Sequence, residues 1–541
     1  MSQSPPMSAD VAPVQLEHKA RMRILGAVMV GIFLAALDQT VVGTALPRII
    51  EDLRGNELYT WAITAYLLTS TISGPLYGKL SDLFGRRPIF LFGVSVFLIG
   101  SLLSGLSQEM WQLIAARAIQ GLGAGALFPI ALAVIGDLFA PSERGRYQGL
   151  FGAVFGLSIL VGPAIGGLIT DTIGWHWVFF VNLPIGAVVL WLIYKYLPSY
   201  HLGGDRARID YLGAVLFAVA LVPILVGLTN KASGDWGDTD VGGYIAFGLL
   251  VLVGFVFVES RAAEPIVPLS LFRNRTFTLS VGAVFMAAFG FFATVVFLPR
   301  WFQVVIGSSA TESGYQILPL LGGLIISAVG SGQIVARTGR YKMLIFGALV
   351  VMAVGLFLLS TMTRDTSIPL LWLYMLITGL GVGPTFAVFT LIVQNSVPIA
   401  QLGTATSNLT FFQQVGGTVG LAITGTIFAS TLTEQFPKQL ASANLPPEVT
   451  GAMAGGAFDS NLLTTVGNLG DKILAALPVD VKPLFEPHID AIVEAIFRAF
   501  SVATASTFTL GIVLSLIAAG LVLLLKEKKM GAMEPGAPTM G

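Results

Sequence analysis

Asp38 is the one carboxylate that falls well inside an apolar run, Ile24 to Leu46. An acid held in hydrocarbon is costly and is a functional feature by default. Such a carboxyl can take up a proton when it is shut off from water and release it when it is wetted or approached by a cation. The plain alternative is a permanently ionised Asp38 in a structural polar network. Arg117 lies six residues after Trp111 in another apolar run, about 9 Å along a helix from that end and at nearly the depth of Asp38. A guanidinium there would hold the carboxylate ionised until a proton or a substrate broke the pair. Alternatively, it bonds helix-end carbonyls or Gln120.

A second group of residues is the stretch GKLSDLFGRR, residues 78–87. Gly78 and Gly85 permit a tight turn and close helix approach, and Asp82 can pair with Arg86 across it while Arg87 adds a second cation. A basic loop that only sets topology would account for the arginines but not for Asp82. In residues 146–170, Gly152 and Gly156, and again Gly162 and Gly166, stand four apart, with Pro163 inside the same run. Small residues at that spacing let two helix backbones come close, and the plain alternative is ordinary close packing within one bundle. Other chemistries have few candidates. There is no cysteine, only four scattered histidines, and no zinc-protease, nucleophile-elbow or Walker A motif, so no metal centre, covalent catalysis or direct ATP coupling is expected.

The elements that carry these residues are apolar helices. Hydrophobic residues make up 55% of the 541-residue chain and charged residues 11%, against about 25% charged in soluble domains. A bilayer core needs about 20 helical residues, and hydropathy gives fourteen such runs, from 24–46 to 501–525. An even count puts both ends of the chain on one side. With the ends inside, the internal segments carry twenty Lys and Arg and the external ones nine, which orients both termini to the cytoplasm. Residues 431–499 are too long for a connector, and LFEPHIDAIVEAIFRAF within them has helical apolar spacing. An amphipathic helix on the outer surface is expected there. Net charge is zero, which offers nucleic acid no electrostatic footing.

The chain also repeats itself. GKLSDLFGR at 78–86 and GQIVARTGR at 332–340 match in their glycines and terminal arginine at an offset of 254, with Ala336 in place of Asp82. Gly162 and Gly166 fall on Gly416 and Gly420 at the same offset. Together with LDQTVVGTALP at 37–47, RAIQGLGAG at 117–125 and GPAIGG at 162–167, these features resemble the major facilitator superfamily over essentially the whole length. Within it, the chain is most similar to the fourteen-helix drug:proton antiporter branch.

The resemblance implies an all-α integral membrane fold of two pseudo-symmetric six-helix bundles plus two inserted helices. Its divisions are a cytoplasmic tail (1–21), an N-terminal bundle (22–200), two inserted linker helices (201–265), five helices of the C-terminal bundle (266–430), the long outer loop (431–499), a fourteenth helix (500–526) and a second cytoplasmic tail (527–541). It implies a role in proton coupling for Arg117, beside the one its place in an apolar run suggests for Asp38. Gly78, Asp82, Gly85, Arg86 and Arg87 would form a latch, with Asp82 facing the positive end of a helix in the other half. Gly162, Pro163, Gly166 and Gly167 would form a packing motif typical of exporters, with Gly162 and Gly166 facing the other bundle.

For the substrate cavity, Gln39, Trp61, Tyr66, Phe155, Gln303, Asn408, Phe412 and Gln413 combine aromatic walls with a few polar anchors, which suits lipophilic or amphipathic molecules. The expected protein is a monomeric, multi-pass transporter in a bacterial plasma membrane. It would export such molecules in exchange for protons, with the proton gradient as its energy source and without a cofactor. A lipid or metabolite exporter of the same fold is the alternative, and a membrane enzyme is disfavoured.

Overall fold

The computed structural model describes residues 17–53, 59–139, 141–199, 210–231, 234–262, 264–443, 445–446, 449, 469–477 and 482–527. Among these residues the chain is helical with no strand. The first half comprises α1 (His18–Leu53), α2 (Tyr59–Phe84), α3 (Arg86–Gly105), α4 (Met110–Leu138), α5 (Pro141–Thr172), a short α6 (His176–Phe180) and α7 (Asn182–Tyr196). Two helices follow, α8 (Tyr211–Asn230) and α9 (Tyr244–Glu259), which pack on each other. The second half comprises α10 (Arg275–Val305), a short α11 (Ala310–Gln316), α12 (Leu318–Thr338), α13 (Lys342–Ser360), α14 (Ile368–Ser396) and α15 (Leu402–Ser442). After them come α16 (Leu469–Ala476) and α17 (Ile489–Leu523).

Twelve helices among the described residues are long and apolar enough to cross a membrane. Helices α2 and α5, at 26 and 32 residues, have the length but are not among the twelve. Both carry polar stretches, Thr69 to Ser73 on α2 and Glu143 to Arg146 on α5, because both lie where the two halves meet. The pairs α2 with α15 and α5 with α12 are the main contacts between halves. Away from that seam the helices turn large apolar side chains outward; Leu250 and Val253 on α9 are 72% and 70% exposed. That suits hydrocarbon, not water.

The turn between α2 and α3 and its copy between α12 and α13 need glycine. Gly85 has φ 92° and Gly339, 254 residues later, φ 67°, a region that L side chains disfavour. The repeat is therefore structural: both halves place a positive-φ glycine at the same point, although ψ differs, 155° at Gly85 and 4° at Gly339.

One expected boundary differs. Helix α15 continues to Ser442 and α17 already begins at Ile489, so 431–499 is not one loop. The stretch expected as a separate surface helix forms the first turns of α17, where Ile492, Ala495, Ile496, Ala499 and Phe500 are buried in the core of the second half. Its apolar stripe is covered by protein, and nothing is left to lie on a lipid surface.

Candidate functional site

Helices α1, α4 and α7 bring Asp38, Arg117 and Asn182 to one point inside the first half. Asp38 is 1% and Arg117 2% exposed. Arg117 donates through Nη1 to Asp38 Oδ2 at 2.7 Å and to Gln120 Oε1 at 2.7 Å. Gln120 Nε2 and Asn182 Nδ2 donate to Asp38 Oδ1 at 2.8 and 2.7 Å. Asn182 also reaches Ser101 Oγ at 3.0 Å, and that hydroxyl donates to the Phe179 carbonyl at 2.9 Å. The face of the Arg117 guanidinium lies 4.2 Å from the centre of the Tyr66 ring, a cation–π arrangement. Three donors, one of them a cation, thus surround a single carboxylate away from water. Breaking one contact disturbs all of them.

The network touches the seam between the halves. Gln39, the neighbour of Asp38, and Tyr66 line a cleft with Ser70, Thr71, Phe128, Phe411 and Gln414. Thr71 on α2 donates to Gln414 Oε1 on α15 at 2.7 Å, so the cleft is spanned by both halves.

At the face that carries both ends of the described chain, the seam is closed by polar contacts. Asp82 accepts from Gly403 N–H at 3.0 Å and from Thr404 N–H and Oγ1–H at 2.7 Å each. It thus occupies the N-terminus of α15, where unpaired amides and the helix dipole favour an anion. Arg86 binds Asp82, Ser81 and Asp137, the last at 2.9 Å. A Cβ on Gly78 would stand 2.7 Å from the Gly403 carbonyl, so these backbones touch. The pseudo-symmetric crossing joins Gly332 on α12 to Gly145 on α5, where a Cβ would come within 2.6 Å of the facing carbonyl. Beside it Gln148 donates to Gln394 at 2.8 Å, Gln394 to the Leu132 carbonyl at 3.0 Å, and Arg144 to Asn395 at 2.9 Å.

The profile of the Major Facilitator Superfamily matches residues 28–421. This chain belongs to that superfamily. Multidrug transporter protein MdtP of Bacillus subtilis (strain 168) is 36% identical over 506 residues, covering 91% of this chain and 93% of the relative. The tetracenomycin C resistance and export protein of Streptomyces glaucescens is 35% identical over 423 residues, covering 78% of each chain. Among solved structures, the human organic anion transporter MFSD10 (TETRAN) superposes with TM-score 0.56 at 17% identity, covering 75% of this chain and 94% of the other. At that identity the likeness concerns the fold alone. As a major facilitator, the protein is a multi-pass membrane transporter and not an enzyme.

Seen on the major-facilitator frame, several expected site residues lie elsewhere. Gly162 and Gly166 do not face the other half. A Cβ on either would strike Thr40 or Thr44 of α1, and Thr40 donates to the Ser158 carbonyl of α5 at 3.1 Å. The stripe packs two helices of one bundle. Gly156, which would meet Ile325 of α12, turns toward the other half instead, because six residues are about 600° of helix rather than a whole number of turns. Gly167 has nothing within 4 Å of its Cβ position. The side chains of Pro163 and Phe155 lie outside the described residues. Arg87 stacks on Tyr194, 4.6 Å from the ring centre, away from the Asp82 contacts.

Among the cavity residues, Gln39 and Tyr66 line the cleft, while Trp61, Gln303, Asn408, Phe412 and Gln413 are not among its lining residues. Gln303 donates to Ser313 at 2.8 Å, Asn408 is buried against the Thr404 carbonyl, and Phe412 packs on Phe272. Phe411 and Gln414 take the positions expected of Phe412 and Gln413, a rotation of about 100° per residue. Asn182, Gln148 and Gln394 were missed altogether. An amide in an apolar run was the available signal.

Proposed function

We propose that this protein is a proton-coupled antiporter that exports hydrophobic or amphipathic small molecules by alternating access. The observation that carries the proposal is continuity. Gln39 follows Asp38 directly, Tyr66 lies on the Arg117 guanidinium, and both side chains line the cleft between the halves. A molecule entering the cleft presses on the residues that hold Asp38 paired. A proton arriving at Asp38 removes the charge that Arg117, Gln120 and Asn182 are arranged to receive. Each ligand thereby disfavours the state the other needs, which is the thermodynamic content of antiport.

The direction of transport is supported by relatives whose names describe multidrug transport and tetracenomycin C resistance and export. The described lining of the cleft contains no charged side chain, in keeping with a lipophilic cargo. The chain would cross the plasma membrane fourteen times, counting α2 and α5, with α6 and α7 as one span. Both termini would be cytoplasmic, by the excess of Lys and Arg on that face. On this reading the contacts of Asp82 and of Gln394 hold the cytoplasmic side shut, and the proton gradient is the only energy source.

The test is flux of an amphipathic fluorescent dye in proteoliposomes with an imposed pH gradient. Dye should move against its own gradient when protons flow the other way, and collapse of the pH gradient should stop it. Accumulation that persists without a pH gradient, or that requires ATP, would overturn the proposal.

A further inference from the structure

A second pair of acids lies outside the network described above. Asp210 caps α8, accepting the Gly213 N–H through Oδ1 at 2.7 Å, and Glu259, 2% exposed, ends α9. Their other oxygens, Asp210 Oδ2 and Glu259 Oε2, are buried and receive no hydrogen bond from any amide, hydroxyl or cation of the described chain. They face one another. Asp210 Oδ2 lies 2.3 Å and Glu259 Oε2 2.8 Å from the point a Cβ would occupy on Gly213, which makes the two oxygens close neighbours.

Two cations of the neighbouring described segments are engaged elsewhere. Lys79 of α2 pairs with Glu264 at 2.6 Å, and Arg261 lies over the Phe257 ring at 4.0 Å. Helix α15, which also touches α8, has its charged residues Glu434 and Lys438 at its far end. No third acid or histidine joins the pair to make a metal site among the described residues. Two ionised carboxylates in contact away from water repel strongly, and a hydrogen bond between them requires that one carry a proton.

We infer that Asp210 and Glu259 form a second proton-binding site, sharing one proton that clasps the inserted α8–α9 hairpin to the connector leading into the second half. Glu259 Oε1 also accepts the Val267 N–H. The connector, residues 264–268, is tied in turn to the α2 turn by Lys79 and Glu264. Loss of the shared proton charges both acids, drives them apart, and frees the connector beside the contacts of Asp82. This site responds to the pH at the face carrying the chain ends, independently of Asp38.

Glu259→Gln mimics the protonated state: its carbonyl can still accept from Val267 and its amide can donate to Asp210. Infrared spectra of the reconstituted full chain, titrated between about pH 5 and pH 9, should contain a protonated-carboxyl band in the wild type that disappears on alkalinisation. Glu259→Gln and Asp210→Asn should each lack that component. The chain has no cysteine, so Ala262→Cys gives a single label on the connector. Maleimide labelling at that site should rise with pH more in the wild-type background than in Glu259→Gln, by roughly fivefold or more. The ratio cancels the titration of the thiol itself. An identical band in all three proteins, or equal labelling in both backgrounds, would overturn the shared proton.

Discussion

Asp82 of the first half binds the first turn of α15 in the second half, with Thr404 giving it both its N–H and its hydroxyl at 2.7 Å. The same Gly-on-Gly crossing occurs between α12 and α5, but Ala336 stands where the first copy has Asp82. There the neutral amides of Gln148 and Gln394 make the bridge. One crossing is held by a carboxylate at a helix N-terminus and the other by amides, with the Arg144 guanidinium donating to Asn395 beside them.

Replacing Asp82 with Asn should therefore open the face that carries the chain ends. A charge at a helix N-terminus contributes about 0.3–2 kcal/mol, which corresponds to roughly a 2- to 30-fold change in the open population. Single-cysteine labelling on each face reads it. Labelling should rise on that face and fall on the opposite one; unchanged labelling would mean that the contact does not control opening.

Asp38→Asn should abolish pH-gradient-driven accumulation, because an amide does not titrate. It should also lower the thermal unfolding temperature, since a buried pair broken from one side leaves Arg117 uncompensated, at a cost of about 3–5 kcal/mol. The double replacement Asp38→Asn with Arg117→Gln should regain much of that stability and none of the transport. A single variant that still concentrates substrate at the wild-type rate would remove Asp38 from the coupling.

The glycine stripe now gives a contrast. Gly162→Leu and Gly166→Leu would force α1 from α5 within one bundle, so they should reduce folded protein recovered from membranes. Gly145→Leu sits against Gly332 across the seam, so it should leave the bundle folded while holding the halves apart. Membrane abundance together with dye flux separates the two effects, and equal abundance of all three variants would contradict the assignment.

Gln414→Leu removes the acceptor of the Thr71 hydroxyl and one polar wall of the cleft. A lost neutral hydrogen bond is worth about 0.5–1.5 kcal/mol, so KM for an amphipathic dye should change by roughly 2- to 12-fold with folding intact. Gln413→Leu should change it by much less. The opposite ranking would mean that the expected residue, not its neighbour, meets the cargo.

Composition and periodicity alone determined that the chain is helical and lives in lipid, since no other solvent accommodates 55% hydrophobic residues with 11% charged ones. The offset of 254 between the two glycine motifs determined the duplication, and the positive φ shared by Gly85 and Gly339 is its physical content. The depth of Asp38 and Arg117 was legible because rise per residue is fixed in a helix.

Helix rotation was not legible. Whether Gly162 faces its own bundle or the other, and whether Gln413 or Gln414 meets the cleft, turns on about 100° of azimuth. In a membrane helix, lipid and protein are both apolar, so hydrophobicity does not fix that angle. Only the packing of α1 against α5 and of α2 against α15 decided it. The same holds for Asn182, Gln394 and the Asp210–Glu259 pair. Each is an ordinary polar residue in the chain, and the fold alone brings its partner to it from tens or hundreds of residues away.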